Sequence, residues 1–164
     1  MVEKLEPGKR IKANGFEFSL IGESLMPSAL SYKRIYILSE GSGRYILGQK
    51  FGNALAPCVF VVEPSVLFGF MPEGNAYLYE LAMGNKEGCE GEVIDLRPLE
   101  HGVRHPLVMK RFSELDEGGC FYIINDHDPL PLYFQMAMAF PKRVGWEYIE
   151  FGDEFWKIRI RRLS

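Results

Sequence analysis

The sequence predicts an all-β barrel over residues 1–83, a linker over residues 84–92 and an α+β two-layer sandwich over residues 93–164. Three observations predict it. Short alternating apolar segments, broken by Gly and Pro, fill the first half. "GNKEGCEGE" (84–92) then supplies glycine and acid with almost no apolar side chain, the composition of a link between domains. Beyond it the order becomes strand, helix, strand, helix and a closing hairpin.

In the first half, "GFEFSLIGE" sets Phe16, Phe18 and Leu20 against Glu17, Ser19 and Ile21, close to a period of two. "YKRIYILS" and "RYILG" read as strands joined by a turn at "EGSG" (40–43), where glycine tolerates positive φ. "CVFVV", "VLFGFM" and "AYLYELAM" read as three more, separated by "EPS" and "PEGN". Pro27 interrupts the one helical candidate, "ESLMPSAL", so no helix is expected here.

In the second half, "VIDL" (93–96) reads as a short buried strand. "HPLVMKRFSELDEG" carries Leu107, Phe112 and Leu115 near helical spacing, with Pro106 in the first turn and Gly118 as a stop. "CFYIIN" is the next strand. In "DPLPLYFQMAMAF", Asp128 suits the helix cap and Pro129 the position after it. "VGWEYIEF" and "EFWKIRIRRL" close the chain as a hairpin, the latter expected at a sheet edge, with Trp156, Ile158 and Ile160 facing opposite to Lys157, Arg159 and Arg161.

Composition narrows the function. A net charge of −3 offers no surface for nucleic acid or an anionic membrane. The apolar runs are far too short to span a bilayer, and "MVEKLEPGKRIK" lacks the apolar core of a signal peptide. Cys58, Cys89 and Cys120 are odd in number and widely spaced, which reads as isolated reduced thiols in a cytoplasmic protein.

All three histidines fall within 27 residues: His101 and His105 in "LEHGVRHP", His127 in "INDHDPLPLYFQ". A right-handed strand–helix–strand crossover makes its strands parallel and starts both helices at one sheet edge. His101, Arg104, His105, Asp126 and His127 should therefore meet on one rim, with Asp128 assigned to the helix cap. Gly102 and Pro106 place the first two histidines in a loop.

Residues 93–162 resemble an uncharacterised family (domain of unknown function 2249) related to the TusA-like sulfur-carrier fold. The likeness rests on "IDLRPLEHGVRHPLVMKRF", "INDHDPLPLYFQM" and "GWEYIEFGDEFWKIRI". It implies a β-α-β-α-β-β sandwich and a loose association with redox or metal handling. Sulfur carriers of this fold open the first helix with Cys-Pro; the matching pair here is His105-Pro106, which argues against persulfide transfer. Residues 10–83 resemble a small cupin barrel through "KRIYILSEGSGRYILG" and "VVEPSVLFGFM". The metal-ligand positions of cupins fall near Ser28, Leu30, Arg34 and Phe68, so no barrel metal is expected.

The function these residues point to is accessory: binding a small ligand, a metal or a partner protein at the His/Asp rim, in redox or sulfur-related metabolism. Imidazole and carboxylate suit a transition metal there. Arg97, Arg104 and the helix N-termini could instead take an anion, but Asp126 and Asp128 work against that. The alternative is an enzyme using His105 and His127 for acid–base or metal-assisted chemistry. In the barrel, Phe51, Phe60, Phe68, Phe70, Tyr77 and Tyr79 either line a ligand pocket or fill the interior, and exposed aromatics there would form a homodimer face.

Overall fold

The computed structural model describes residues 5–84 and 88–164. The chain is mostly β and divides into two compact units, Met1–Lys86 and Glu87–Ser164. Part of the expected linker, residues 85–87, lies outside the described residues.

The first unit holds seven strands: β1 (Arg10–Ala13), β2 (Phe16–Ile21), β3 (Leu25–Ser28), β4 (Lys33–Leu47), β5 (Lys50–Leu55), β6 (Cys58–Val62) and β7 (Phe68–Met83). Two of them correct the sequence reading. "EGSG" is no turn but a bulge within β4, and "PEGN" lies within β7. Gly41 and Gly74 hold φ of 84° and 76°, so each strand bends without ending. A Cβ at Gly41 would stand 2.3 Å from the Asn75 carbonyl oxygen. The β4–β7 ladder runs from Lys33↔Met83 to Leu47↔Phe68, and its two halves recruit different neighbours. β2 and β6 flank one half, β3 and β5 the other.

The two halves share one core. Tyr36, Leu38, Phe60, Val62 and Leu78 pack with Ala54, Phe68 and Phe70. Tyr36 stacks on Phe68 at 4.3 Å, and Phe60 lies 5.1 Å from Phe68. Each such side chain contributes roughly 2–3 kcal/mol on burial. Of the aromatics proposed as pocket lining, these phenylalanines fill the interior. Phe51 and Tyr77 are exposed, and Tyr79 stacks on Phe18.

The second unit is β8 (Val93–Asp95), α1 (His101–Ser113), β9 (Cys120–Asn125), α2 (Leu130–Ala139), β10 (Val144–Glu150) and β11 (Trp156–Arg162). Its sheet runs β10-β11-β9-β8, with β8 parallel to β9 and the other pairs antiparallel. β11 is thus interior, not the expected edge strand. Trp146, Ile160 and Phe121 form one buried row across it, and Tyr148, Ile158 and Ile123 the next. Tyr133 of α2 meets Trp146 edge-on at 5.6 Å.

Three further expectations are corrected here. Helix α1 begins at His101, so His101 and His105 share a helix face and Pro106 is internal. The proline withholds only a bond to the exposed Gly102 carbonyl, which water can serve. The stripe α1 buries is Arg104, Val108 and Phe112, at spacing i, i+4, i+8, while Leu107 is exposed. The cysteines are not all isolated thiols: Cys89 and Cys120 form a disulfide, and Cys58 is free. Residues 88–92 are tied further to the second unit, because Tyr122 Oη donates to the Cys89 carbonyl and Arg161 Nη2 to that of Gly88.

Candidate functional site

Arg104 organises the rim. Its side chain is almost fully buried, and all five of its N–H groups find acceptors. Nε reaches the Leu99 carbonyl at 3.0 Å and Nη2 the Arg97 carbonyl at 3.1 Å. Nη1 reaches Asn125 Oδ1 at 3.0 Å, and the two Nη groups clasp Asp126 at 2.9 and 3.1 Å. One guanidinium thereby joins the β8–α1 loop to the β9–α2 turn. This bond set also explains the early start of α1, since Arg104 holds the turn at Arg97–Leu99 from within the helix.

The turn presents His127. Its Nδ1 lies 2.5 Å from Asp126 Oδ1, while Asn125 Nδ2 donates to the His127 carbonyl at 3.0 Å. Asp126, held first by Arg104 and then by His127, has its carboxyl far below the usual carboxylate range. The acceptor is therefore an anion and His127 Nδ1 is the donor, which leaves Nε2 with its lone pair when the ring is neutral. Across α1, His105 Nδ1 lies 2.8 Å from Gln135 Oε1 on α2. Its Nε2 is likewise left as the acceptor.

His101 and His127 face each other, with ring centroids 5.8 Å apart and planes inclined by 33°. Both, with His105, border a cavity of about 30 Å³ floored by Leu96, Pro129 and Leu132. That volume admits a water molecule or a single ion and nothing larger. Two imidazoles that share one ion at about 2.1 Å set their centroids roughly 5–6 Å apart, a range that includes the His101–His127 spacing, but among the described residues no three His, Cys, Asp or Glu side chains gather to hold a metal.

The arginines and Asp128 have other partners. An anion site on the arginines is not what the structure builds. Arg104 is saturated, and Arg97 grips Asp95 through contacts of 2.7 and 2.9 Å. Asp128 lies one residue before the cap position, which Pro129 occupies. Its carboxylate still accepts the Leu130 N–H at 3.0 Å, and the buried Tyr148 hydroxyl donates to it at 2.6 Å. Asn125 and Gln135 escaped sequence reasoning. Asn125 ends a strand whose alternation points it inward, and Gln135 sits one turn past the apolar start of α2. Neither type carries charge, so no spacing rule flags them.

In the first unit, the four positions matched to cupin ligands include one buried charge. Arg34 is fully buried, with Nη1 donating to Ser28 Oγ at 2.8 Å and Nη2 to the carbonyls of Ser28 and Val66, both at 3.0 Å. Ser28 pairs with Phe68 in the sheet register.

Residues 93–162 match a family described as an uncharacterized conserved protein, DUF2249. Among solved structures, a cupin superfamily protein from Desulfitobacterium hafniense is similar at 11% identity and TM-score 0.41, covering 51% of this chain and 84% of that one. A cupin-2 domain containing protein from Shewanella frigidimarina shows 12% identity and TM-score 0.39, covering 46% and 80%. Salicylate 1,2-dioxygenase from Pseudaminobacter salicylatoxidans shows 17% identity and TM-score 0.36, covering 41% of this chain and 20% of that one. No curated protein matches in sequence.

Proposed function

We propose that this chain is an accessory binding protein whose second unit takes its ligand, a single transition-metal ion, through imidazole nitrogens at the rim. One observation carries the reading: His127 and His105 both have Nδ1 engaged by an oxygen, on Asp126 and Gln135, which leaves Nε2 as the acceptor on each, and both residues line the same small cavity. Orientation of a ligating histidine by a carboxylate or amide oxygen is the usual outer-shell arrangement of metal sites. The first unit, whose core holds Phe60, Phe68 and Phe70, serves as scaffold or partner surface. The redox or sulfur setting and the TusA-like fold rest on the sequence resemblance, and the Cys89–Cys120 disulfide counts against the reducing compartment that isolated thiols would suit.

The test is titration of the untagged full chain with Zn(II) and Co(II), followed by histidine NMR and by Co(II) absorption. Binding should broaden or shift the imidazole signals of His101, His105 and His127, and His127→Ala should remove it while the melting temperature holds. Unmoved imidazoles at millimolar metal would defeat the proposal. A second reading, general acid–base chemistry, draws on the Asp126–His127 pair, which has the form of an orienter and its base. It requires a substrate-dependent rate that His127→Ala abolishes without added metal.

A further inference from the structure

We propose that the Cys89–Cys120 disulfide regulates the histidine rim: oxidised, it holds the rim assembled, and reduced, it releases the strand that leads to one side of it. The proposal rests on the reading of that rim as a binding site. Chain topology carries it. Cys120 is the first residue of β9 and Asn125 the last, so one strand joins the sulfur bridge to the Arg104 clasp. At about 3.3 Å per residue the two anchors stand roughly 17 Å apart. Beside β9 runs a strap, residues 89–96, that starts at the disulfide and ends at Leu96 in the cavity floor. Past it come the Arg97 and Leu99 carbonyls, both Arg104 acceptors, and then His101. The disulfide therefore closes a loop that contains His101 and His105, while His127 lies outside it.

The rest of the strap is lightly held. Its paired part, β8, is three residues long, lies at the sheet edge and pairs with β9. Val93 within it is 52% exposed. Its other ties, from Tyr122 and Arg161 to the carbonyls of Cys89 and Gly88 and the Arg111–Glu92 pair, lie at or near the surface, and each is weak on its own. Short exposed edge ladders are the parts of a sheet that open at low cost. The later turns of α1 stay seated, because Val108 and Phe112 are fully buried. Release therefore reaches Leu96 and the first turn of α1, whose His101 ring faces His127 at 5.8 Å. Cys89 is half-buried and Cys120 buried, so an incoming thiolate meets Cys89 Sγ. A new S–S bond forms there, and Cys120 leaves as a thiolate and takes a proton. The second thiol of a dithiol reductant then displaces Cys89, which is protonated in turn. The dithiol gives up two electrons and two protons and ends as a disulfide. Linkage is reciprocal: by whatever factor oxidation tightens ligand binding, bound ligand disfavours reduction by the same factor.

The experiment compares the untagged full chain in three states: oxidised, reduced by a phosphine and kept anaerobic, and as the Cys89→Ser/Cys120→Ser variant. Each is titrated with Zn(II) and followed by histidine NMR. The variant separates the rim from zinc held by free thiolates. The oxidised chain should bind at its imidazoles about tenfold more tightly than the variant, and the imidazoles of the reduced chain should respond as the variant's do. Backbone amide relaxation without metal needs no variant and does not report global unfolding. On reduction the order parameters of residues 93–103 should fall from the rigid toward the flexible range, while those of β10 and β11 hold. Equal affinity in the oxidised chain and the variant would overturn the proposal and leave the rim standing as a site. Imidazoles unmoved by Zn(II) in every state would overturn both. Order parameters that stay rigid on reduction, or that fall equally in β10 and β11, would overturn the proposal, since the disulfide would then serve the whole unit and not the rim. If the variant does not fold, the reduced wild type decides by the same two readouts.

Discussion

Arg104 and Asp126 form a two-bond clasp between the first turn of α1 and the turn before α2, with N–O distances of 2.9 and 3.1 Å. The guanidinium is buried and the carboxylate partly open, so the pair is anchored from the arginine side. Its other N–H groups go to two backbone carbonyls and to Asn125 Oδ1.

Arg104→Lys should therefore destabilise the second unit by about 2–3 kcal/mol. An ammonium keeps the charge but cannot serve five acceptors in the fork geometry, and unpaired buried carbonyls cost about 1–3 kcal/mol each. Urea unfolding followed by tryptophan fluorescence measures it, since Trp146 and Trp156 both lie in this unit. A change within experimental error would mean that the loop is held otherwise.

The same pair sets an acid limit. The folded carboxyl of Asp126 titrates below the ordinary carboxylate range, and the unfolded one near 3.9. The contribution is fully present above the unfolded value. As pH falls below about 4, the unfolded chain takes up a proton that the folded chain refuses, and stability declines. Asp126→Asn should flatten that part of the profile, and the His127 signal should move in the same variant as its Nδ1 partner changes. Parallel profiles for wild type and variant below pH 4 would contradict the assignment.

Much of this rim was legible in sequence because it depends on topology. A parallel β8–β9 pair and two helices suffice to bring "LEHGVRHP" and "INDHDP" to one edge. The helical state of His101 was not legible, because Gly102 and Pro106 both argue locally against helix. Their penalty is overridden by Arg104, whose acceptors lie 5 to 22 residues away in sequence. The first unit failed in the same way. "EGSG" and "PEGN" carry the residues of turns, and only the pairing of β4 with β7 reveals them as bulges. The Cys89–Cys120 bond joins sites 31 residues apart, and no local pattern encodes that closeness.

Asp128→Ala should cost about 2 kcal/mol, more than a simple cap. About 1 kcal/mol belongs to the half-buried Leu130 N–H. A similar amount belongs to the buried Tyr148 hydroxyl, which loses its acceptor. Tyr148→Phe should recover part of that loss in the Asp128→Ala background, because it removes the orphaned group. Additivity of the two substitutions would show that they do not interact.

The disulfide closes a loop that contains β8 and all of α1. A loop of that length corresponds to about 3–4 kcal/mol of chain entropy. Reduction, or Cys89→Ser, should lower the urea midpoint by that order while Cys58→Ser does not. Thiol counting in denaturant should find one free thiol before reduction and three after it. Three thiols in protein purified without reductant would show the bond unformed, as expected of a reducing compartment.

Arg34 decides the status of the first unit's interior. Replacing a buried charge by an apolar side chain can stabilise a protein when no partner is left behind. Here two carbonyls, of Ser28 and Val66, and the Ser28 hydroxyl would lose their donor. At about 1–3 kcal/mol per orphaned group, that loss exceeds the gain from removing the charge. Arg34→Leu should thus destabilise the first unit by about 2–4 kcal/mol, read by the loss of strand signal in far-ultraviolet circular dichroism. Added Zn(II) or Co(II) should not restore it, because the positions around the guanidinium offer Ser28, Leu30 and Phe68 and no imidazole. Metal rescue of Arg34→Leu, or a variant more stable than the wild type, would show that the guanidinium is not a structural plug.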